Sequence, residues 1–528
     1  MKDKFYITTA IPYVNARPHI GFALEAIQAD VVARYMRTLG RDVWFLSGTD
    51  EHGAKISRAA QAAGKDVREF VDEHAELFKK LLAVLGISND DFIRTSDENR
   101  HFPGAAALWR LISKNGDLVK KTYQGLYCVG HEAFVTEKDL VRGKCVDHNA
   151  EPERLEEENY FFRLSRYAGK IKRAIESGEL KIIPETRKNE ILALIKSGLE
   201  DVSFSRPAKD IPWGVPVPDD PSQNMYVWCD ALANYISAMG FGHSDDEKFK
   251  KFWPADMHVI GKDILRFHAA IWPGMLMSAG LALPKSIFVH GFIVVGGKKM
   301  SKTLGNVVDP FDLIERFSAE VARYYFLREV SPNEDGDFTE EKFLTAYNAN
   351  LANGLGNYVA RVSKMIADYF GGELNKPGIA KLSSVPLTFS PELFRERYGR
   401  GIETFGIDLF ISEEIGPQYQ KAMSEFQFSK AMDEIWRLLG LLDGYIQTYE
   451  PFKLVKSDKE KTAAILWQTA YGALEIAWLL GPLMPETSNK IFKIFSVQPG
   501  DPKEVERVKI FPHAPLFPRK QIMAQPGG

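Results

Sequence analysis

The stretch "KFYITTAIPYVNARPHIGFALE", Lys4 to Glu25, decides how the fold is read. It opens with a short β-rich run, KFYITTAI, and passes through a loop rich in Pro, Asn and Arg between Pro12 and Pro18. A helix is predicted from His19 to Leu39, because Ile20, Ala23, Leu24, Ile27, Val31 and Tyr35 recur on one stripe and Gly40 stands where a closing glycine belongs. The alternation then repeats. DVWFLSGTD (Asp42–Asp50) reads as a strand, and DVREFVDEHAELFKKLLAVLG (Asp66–Gly86) has helical periodicity. Strand, helix, strand, helix predicts a parallel α/β sheet, and such sheets bind ligands outside the carboxyl ends of their strands. His19 and Asp50 both fall just past a strand end, which makes them the first candidate site residues.

Outward from this stretch the chain divides into four parts. Residues 1–115 form the first half of an α/β domain of Rossmann type. Residues 116–223 read as an inserted domain, with two cysteines, the acidic run EPERLEEEN and the Pro-rich exit DIPWGVPVPDDPSQ. The α/β pattern resumes over 224–337, and 338–528 is mostly helical, with amphipathic runs such as Phe343 to Tyr369 and Ala463 to Leu480. Hydrophobic residues at 45% and charged residues at 26% are ordinary for a soluble globular chain. The formal net charge of -3 argues against a protein that coats nucleic acid non-specifically, yet leaves room for a local basic surface. No signal-peptide pattern and no membrane-spanning apolar run is expected, and three cysteines in 528 residues suggest a reducing, cytoplasmic setting.

Two motifs carry chemistry. A helix N-terminus offers unpaired N–H groups and partial positive charge to a phosphate, and His19 adds a donor there. Taken alone, such a histidine equally suits a surface or capping residue. GGKKMSKTLGN, Gly296 to Asn306, reads as a flexible loop with mobile positive charge on Lys298, Lys299 and Lys302 beside Ser301. Adenylyl transfer needs such charge while pyrophosphate leaves; by itself the loop also fits a solvated basic turn.

Together, PHIG after the first strand and KMSKT after a late one resemble the paired signatures of class I aminoacyl-tRNA synthetases. ITTAIPYVNARPHIG, GTDEHG, MYVWCDALANY, HVIGKDILRFHAAIWP and KMSKTLGN are similar to the methionyl-tRNA synthetases along essentially the whole chain. The resemblance implies that methionine is activated with ATP to an adenylate and then esterified to tRNA(Met). It implies a methionine pocket of Ala10, Ile11, Tyr13, Trp228, Ala231, Leu232, Tyr235, Ile264 and His268, with Asp50 at the ammonium group. Aromatic walls suit a polarizable thioether, and His268 or Tyr13 is expected to offer a weak donor near the sulfur. For ATP it implies His19 and Gly21 at the phosphates, and Gly261, Lys262 and Asp263 near the ribose. His290 and Ile293 fall near the adenosine, and Lys299, Ser301 and Lys302 at the pyrophosphate, with Mg²⁺. His19, Lys299 and Lys302 are the catalytic candidates. The family's usual signature has a second polar residue where this chain has Phe22. Loss of one such donor costs roughly 10²-fold in comparable sites, unless a lysine, a backbone N–H or Mg²⁺ replaces it or the ring stacks near the nucleotide. The insertion is too short for the hydrolytic editing domain of the leucine, isoleucine and valine enzymes.

Cys128-x₂-His131 and Cys145-x₂-His148 form two knuckles whose ligand types suit one tetrahedral, structural zinc, with His131 in the family's usual second cysteine position; a metal-free knuckle is the alternative. In the helical region, Asn357 and Arg361 share a face (i, i+4), and Phe452 takes the place of a family tryptophan, so all three are implied at the anticodon. A monomer without an appended dimerising module is expected. The rival readings are an adenylate-forming nucleotidyltransferase that charges no tRNA, and a catalytically dead RNA-binding paralogue marked by Phe22.

Overall fold

Tyr6, Ile7 and Thr8 are fully buried, as a strand at the centre of a parallel sheet requires. The computed structural model describes residues 3–128, 133–135, 140–146, 150–300, 305–385 and 407–520. Its central sheet has six strands in the order Asp91–Arg94, Asp42–Thr49, Lys4–Thr8, Met257–Gly261, Ser286–His290, Lys181–Ile183. Every pairing is parallel. Thr8, the last residue of its strand, stands beside Leu46 on one side and His258 on the other, and both neighbouring strands continue three residues further, to Thr49 and Gly261. Strand order reverses between Lys4–Thr8 and Met257–Gly261, and a reversal of this kind opens a ligand crevice at the carboxyl ends. The helix Ile20–Thr38 returns from that edge, and Gly40 follows it with φ 79° in the left-handed region.

Two features differ from the sequence-based organisation. Lys181–Ile183, inside the segment 116–223, is the edge strand of the central sheet, flanked by the helices Ala168–Ser177 and Glu185–Ser197. Among the described residues, the separate sheets of this segment are a four-stranded one built on the long pairing of Leu118–Cys128 with Glu153–Phe162, a three-stranded one around Asp220–Met225 and a two-stranded one, Leu140–Val141 with Lys144–Cys145. A three-residue strand has too little periodicity to be read from sequence. The second difference is the division of the chain into two compact units. One holds residues 1–292 and 308–311, and the other holds 293–307 and 312–528.

Within the second unit, Ile293–Val295 pairs with Lys298–Lys299 and with Gly336–Phe338. Gly296 (φ 59°) and Gly297 (φ 72°) form the turn between the first two, a conformation that glycine adopts without a steric penalty. The start of the loop expected to be flexible is therefore a hairpin. Among the described residues, the rest is helical apart from an antiparallel pairing of Glu373–Asn375 with Arg507–Lys509. Glu320 accepts from the Thr487 backbone N–H (2.7 Å), and the fully buried Arg323 donates to the Leu483 carbonyl (2.8 Å), so one helix caps the ends of two others. Lys459–Leu480 is long and apolar enough to cross a bilayer, contrary to the expectation of no such run, but its apolar window is 83% buried, as in a core helix.

Candidate active site

His19 is the N-cap of the helix Ile20–Thr38, with extended backbone. The Gly21 backbone N–H donates to its Nδ1 at 3.0 Å. A backbone N–H can only donate, so in the neutral ring the proton sits on Nε2, which becomes the outward donor. Burial by surrounding residues draws the His19 pKa below its ordinary value, against the pull of Asp263. The capping bond thus fixes the tautomer that presents an N–H toward a phosphate, while Gly21's own amide is spent on His19. Phe22 does not face that space. Its ring is buried and meets Phe78 edge-on at 5.1 Å, in the core beneath the helix.

One turn further along the helix, Glu25 joins two strand ends. Its Oε1 accepts from the Ala10 backbone N–H (2.8 Å), and its Oε2 lies 2.9 Å from His290 Nε2. His290 Nδ1 donates to the Gly291 carbonyl at 2.7 Å. Burial opposes protonation of His290, yet the hydrogen bond and charge of Glu25 prevail and raise its pKa. Both ring nitrogens face acceptors, an arrangement that favours the protonated ring. A Cβ on Gly261 would come within 2.8 Å of Asp263 Oδ1 and 3.7 Å of His290 Cε1. Glycine therefore leaves a bare patch of backbone, walled by a carboxylate and an imidazole, of the kind a nucleoside approaches closely. Lys262 lies over the Phe292 ring at 4.5 Å. Glu25 was missed in the sequence, since a glutamate on a helix carries no sign that it faces inward.

The expected methionine residues all lie in the first unit. Ala10, Leu232 and Tyr235 belong to one buried apolar cluster, with Ile11, Trp228 and Ile264 packed against it. Asp50 is 2% exposed, its N–H donates to the Pro12 carbonyl (2.9 Å), and it forms a backbone bridge with Tyr13. Ala231 is buried on the short helix Val227–Leu232. Trp228 is stacked on Phe267 at 3.6 Å and 10°, a partner not foreseen from the sequence. His268 Nδ1 donates to the Ile264 carbonyl (3.0 Å), and the Tyr235 hydroxyl donates to Nε2 (2.7 Å). Burial lowers the His268 pKa to about 4, so the ring is neutral. Both nitrogens are engaged within the protein, which removes His268 as the sulfur's donor and makes it the residue that aims Tyr235. Ile264 and His268 lie on a 3₁₀ turn followed by a π-helical turn, Phe267–Ile271, and such irregular helices cluster at functional sites.

The remaining candidates fall elsewhere. Ile293 and Lys299 lie on the hairpin strands of the second unit, and Asn306 Nδ2 donates to the Lys299 carbonyl (3.3 Å). Ser301 and Lys302 lie outside the described residues, as do His131 and His148. Cys128 and Cys145 are buried in one small cluster with Val135, and the Cys145 N–H donates to the Ala150 carbonyl (2.9 Å). No group of three or more potential metal ligands occurs among the described residues. Asn357 is exposed at the start of the helix Asn357–Phe370, whereas Arg361 is ion-paired with Asp443. Phe452 is 44% exposed on a short helix, with Lys453 near its ring.

The family model described as tRNA synthetases class I (M) matches residues 5–152 and 135–363. The methionine–tRNA ligase of Thermotoga maritima is 41% identical over 509 residues, covering 95% of this chain and 76% of its own length. That of Brucella suis is 39% identical over 531 residues and covers 98% of both chains. Among solved structures, Mycobacterium tuberculosis methionyl-tRNA synthetase in complex with methionyl-adenylate is similar at a TM-score of 0.89 and 36% identity, over 98% of this chain and 100% of that one. The apo form of the same enzyme gives 0.83 and 34%, over 99% of each chain.

Proposed function

Because the chain belongs to the class I methionyl-tRNA synthetases, we propose that it activates methionine with ATP at the carboxyl edge of its parallel sheet and charges tRNA(Met). The observation that carries the proposal is that the tautomer-fixed His19 and the buried Asp50 both follow strand ends of one parallel sheet, in a unit where Trp228 and Tyr235 pack in one apolar cluster. The methionine carboxylate attacks the α-phosphorus and pyrophosphate leaves. The terminal adenosine hydroxyl of tRNA then attacks the adenylate carbonyl, and AMP leaves. No protein side chain attacks covalently; the chain positions groups and stabilises charge.

Asp50 holds the ammonium group. Ala10, Ile11, Tyr13, Trp228, Ala231, Leu232, Tyr235 and Ile264 enclose the thioether, with His268 orienting Tyr235. His19 Nε2–H donates to a phosphate oxygen, Gly261 and Asp263 take the ribose, and His290 flanks it. On the family resemblance, Ile293 is assigned to the adenine and Lys299, Ser301 and Lys302 to the leaving pyrophosphate. Mg²⁺, when bound, supplies charge to the ATP phosphates.

The donor set of Cys128, His131, Cys145 and His148 fits a structural zinc, since two soft sulfurs already share one small buried cluster. Metal analysis is expected to find one zinc per chain. Asn357, Arg361 and Phe452 are assigned to the anticodon, and the protein is proposed to act as a cytoplasmic monomer. ATP–pyrophosphate exchange with each standard amino acid in turn tests the central reading. Exchange with methionine alone is expected, and exchange with no amino acid overturns it.

A further inference from the structure

The first unit also holds a buried polar cluster that the mechanism above does not use. Asp230 is completely buried, with Oδ2 2.6 Å from His52 Nδ1 and Oδ1 2.6 Å from His101 Nε2. The far nitrogen of His101 lies 2.9 Å from Ser237 Oγ. His52 is wedged against Phe102 (5.8 Å) and Trp213 (5.5 Å), which fixes its ring plane. Burial opposes ionisation of Asp230, but the two imidazoles outweigh it and hold the carboxyl at about 2.

Three elements meet at this one carboxylate. His52 lies two residues after Asp50, in the loop that follows the strand Asp42–Thr49. His101 precedes the helix Phe102–Lys114, and Asp230 sits on Val227–Leu232 between Trp228 and Ala231. A buried charge is poor value as stability, since apolar residues of equal volume often hold elements together as well. What two directional bonds add is a fixed distance between the elements they join. We propose that the His52–Asp230–His101 cluster is a positioning device for the amino-acid substrate, setting the spacing between the Asp50 loop and the Trp228 helix. It rests on the methionine pocket proposed above. The hydrogen bonds of the cluster join its members to one another and to Ser237, so its members act through Asp50 and Trp228 and not on the substrate itself.

The test uses the full chain in ATP–pyrophosphate exchange, with methionine and ATP varied separately. His52→Leu removes the Nδ1–H donor and is expected to raise the KM for methionine about tenfold or more, the usual scale for a lost charge-assisted bond in a buried site, with the KM for ATP unchanged. His52→Asn can place an amide N–H where Nδ1–H stood and should restore most of the affinity. Asp230→Asn turns an amide N–H₂ toward one imidazole and should act in the same direction as His52→Leu; if it fails to fold, the His52 pair still decides. The proposal is overturned if His52→Leu leaves the methionine KM unchanged, if it raises both KM values alike, or if His52→Asn is no better than His52→Leu. Asp50→Asn separates the two levels of the argument. If it leaves the methionine KM unchanged, the pocket reading fails and this inference with it. If it raises that KM while His52→Leu does not, only the positioning role is lost.

Discussion

Phe22 occupies a position where the family signature has a polar residue, and its ring belongs to the core against Phe78. Phe22→His would exchange an apolar contact for an imidazole without a foreseen partner, at a cost of about 2 kcal/mol. The variant is expected to unfold at lower urea and to gain no pyrophosphate exchange; a faster exchange at unchanged stability would return Phe22 to the ATP site. A second residue-scale consequence comes from His268. Burial sets its folded pKa at about 4, below the unfolded value near 6.5. Folding therefore favours the neutral ring. Its contribution is complete above pH ~6.5 and is lost as pH falls toward 4, to a limit of about 3 kcal/mol. His258, fully buried and also lowered by burial, adds slope of the same sign. Urea unfolding between pH 7 and 5 should show the decline, and His268→Gln, which cannot titrate, should flatten it. An equal slope in the two proteins would refute the assignment.

At the scale of elements, the sheet edge depends on close approach. Gly48 pairs with Ile93 across the strands Asp42–Thr49 and Asp91–Arg94. A Cβ there would stand 2.3 Å from the Ile93 carbonyl oxygen and 3.0 Å from Ile11 Cγ2. Gly48→Ala must displace the edge strand and Ile11, one of the proposed methionine-pocket residues, costing roughly 1–3 kcal/mol. A lower melting temperature together with a raised methionine KM is expected, and a variant of unchanged melting temperature would show that the strands have slack. The sequence made the central alternation legible because Ile20, Ala23, Leu24 and Ile27 keep a helical period and the strands after it are continuous apolar runs. It hid Lys181–Ile183, whose three residues carry no period, and it hid the hairpin at Gly296–Gly297 behind a run of lysines. The candidate site was legible where motif residues lie at strand ends, as His19 and Asp50 do. Glu25, His52, His101 and Asp230 were not, because their roles arise from partners 15, 178 and 129 positions away in sequence.

At the scale of the molecule, the two steps of the reaction make different demands. Adenylate formation needs the sheet edge and the basic loop, and the substrates are small. Charging also needs an RNA to be recognised, and a chain of net charge -3 cannot hold it by overall attraction. Recognition must then rest on local contacts, of which an exposed aromatic ring for an unstacked base is the strongest kind. Phe452, 44% exposed beside Lys453, has the exposure such a role requires and a core residue lacks. Phe452→Ala removes one base-stacking surface, worth about 1–3 kcal/mol, and should lower kcat/KM for tRNA by roughly five- to 150-fold. Since Phe452 lies outside the buried core, stability should fall little and methionine-dependent pyrophosphate exchange should stay as it was. Phe452→Trp should keep charging close to its original rate, because an indole stacks at least as well as a phenyl ring. Equal loss of exchange and charging in Phe452→Ala would mean that the residue supports the fold, and unaltered charging would place anticodon recognition on other residues of the helical unit.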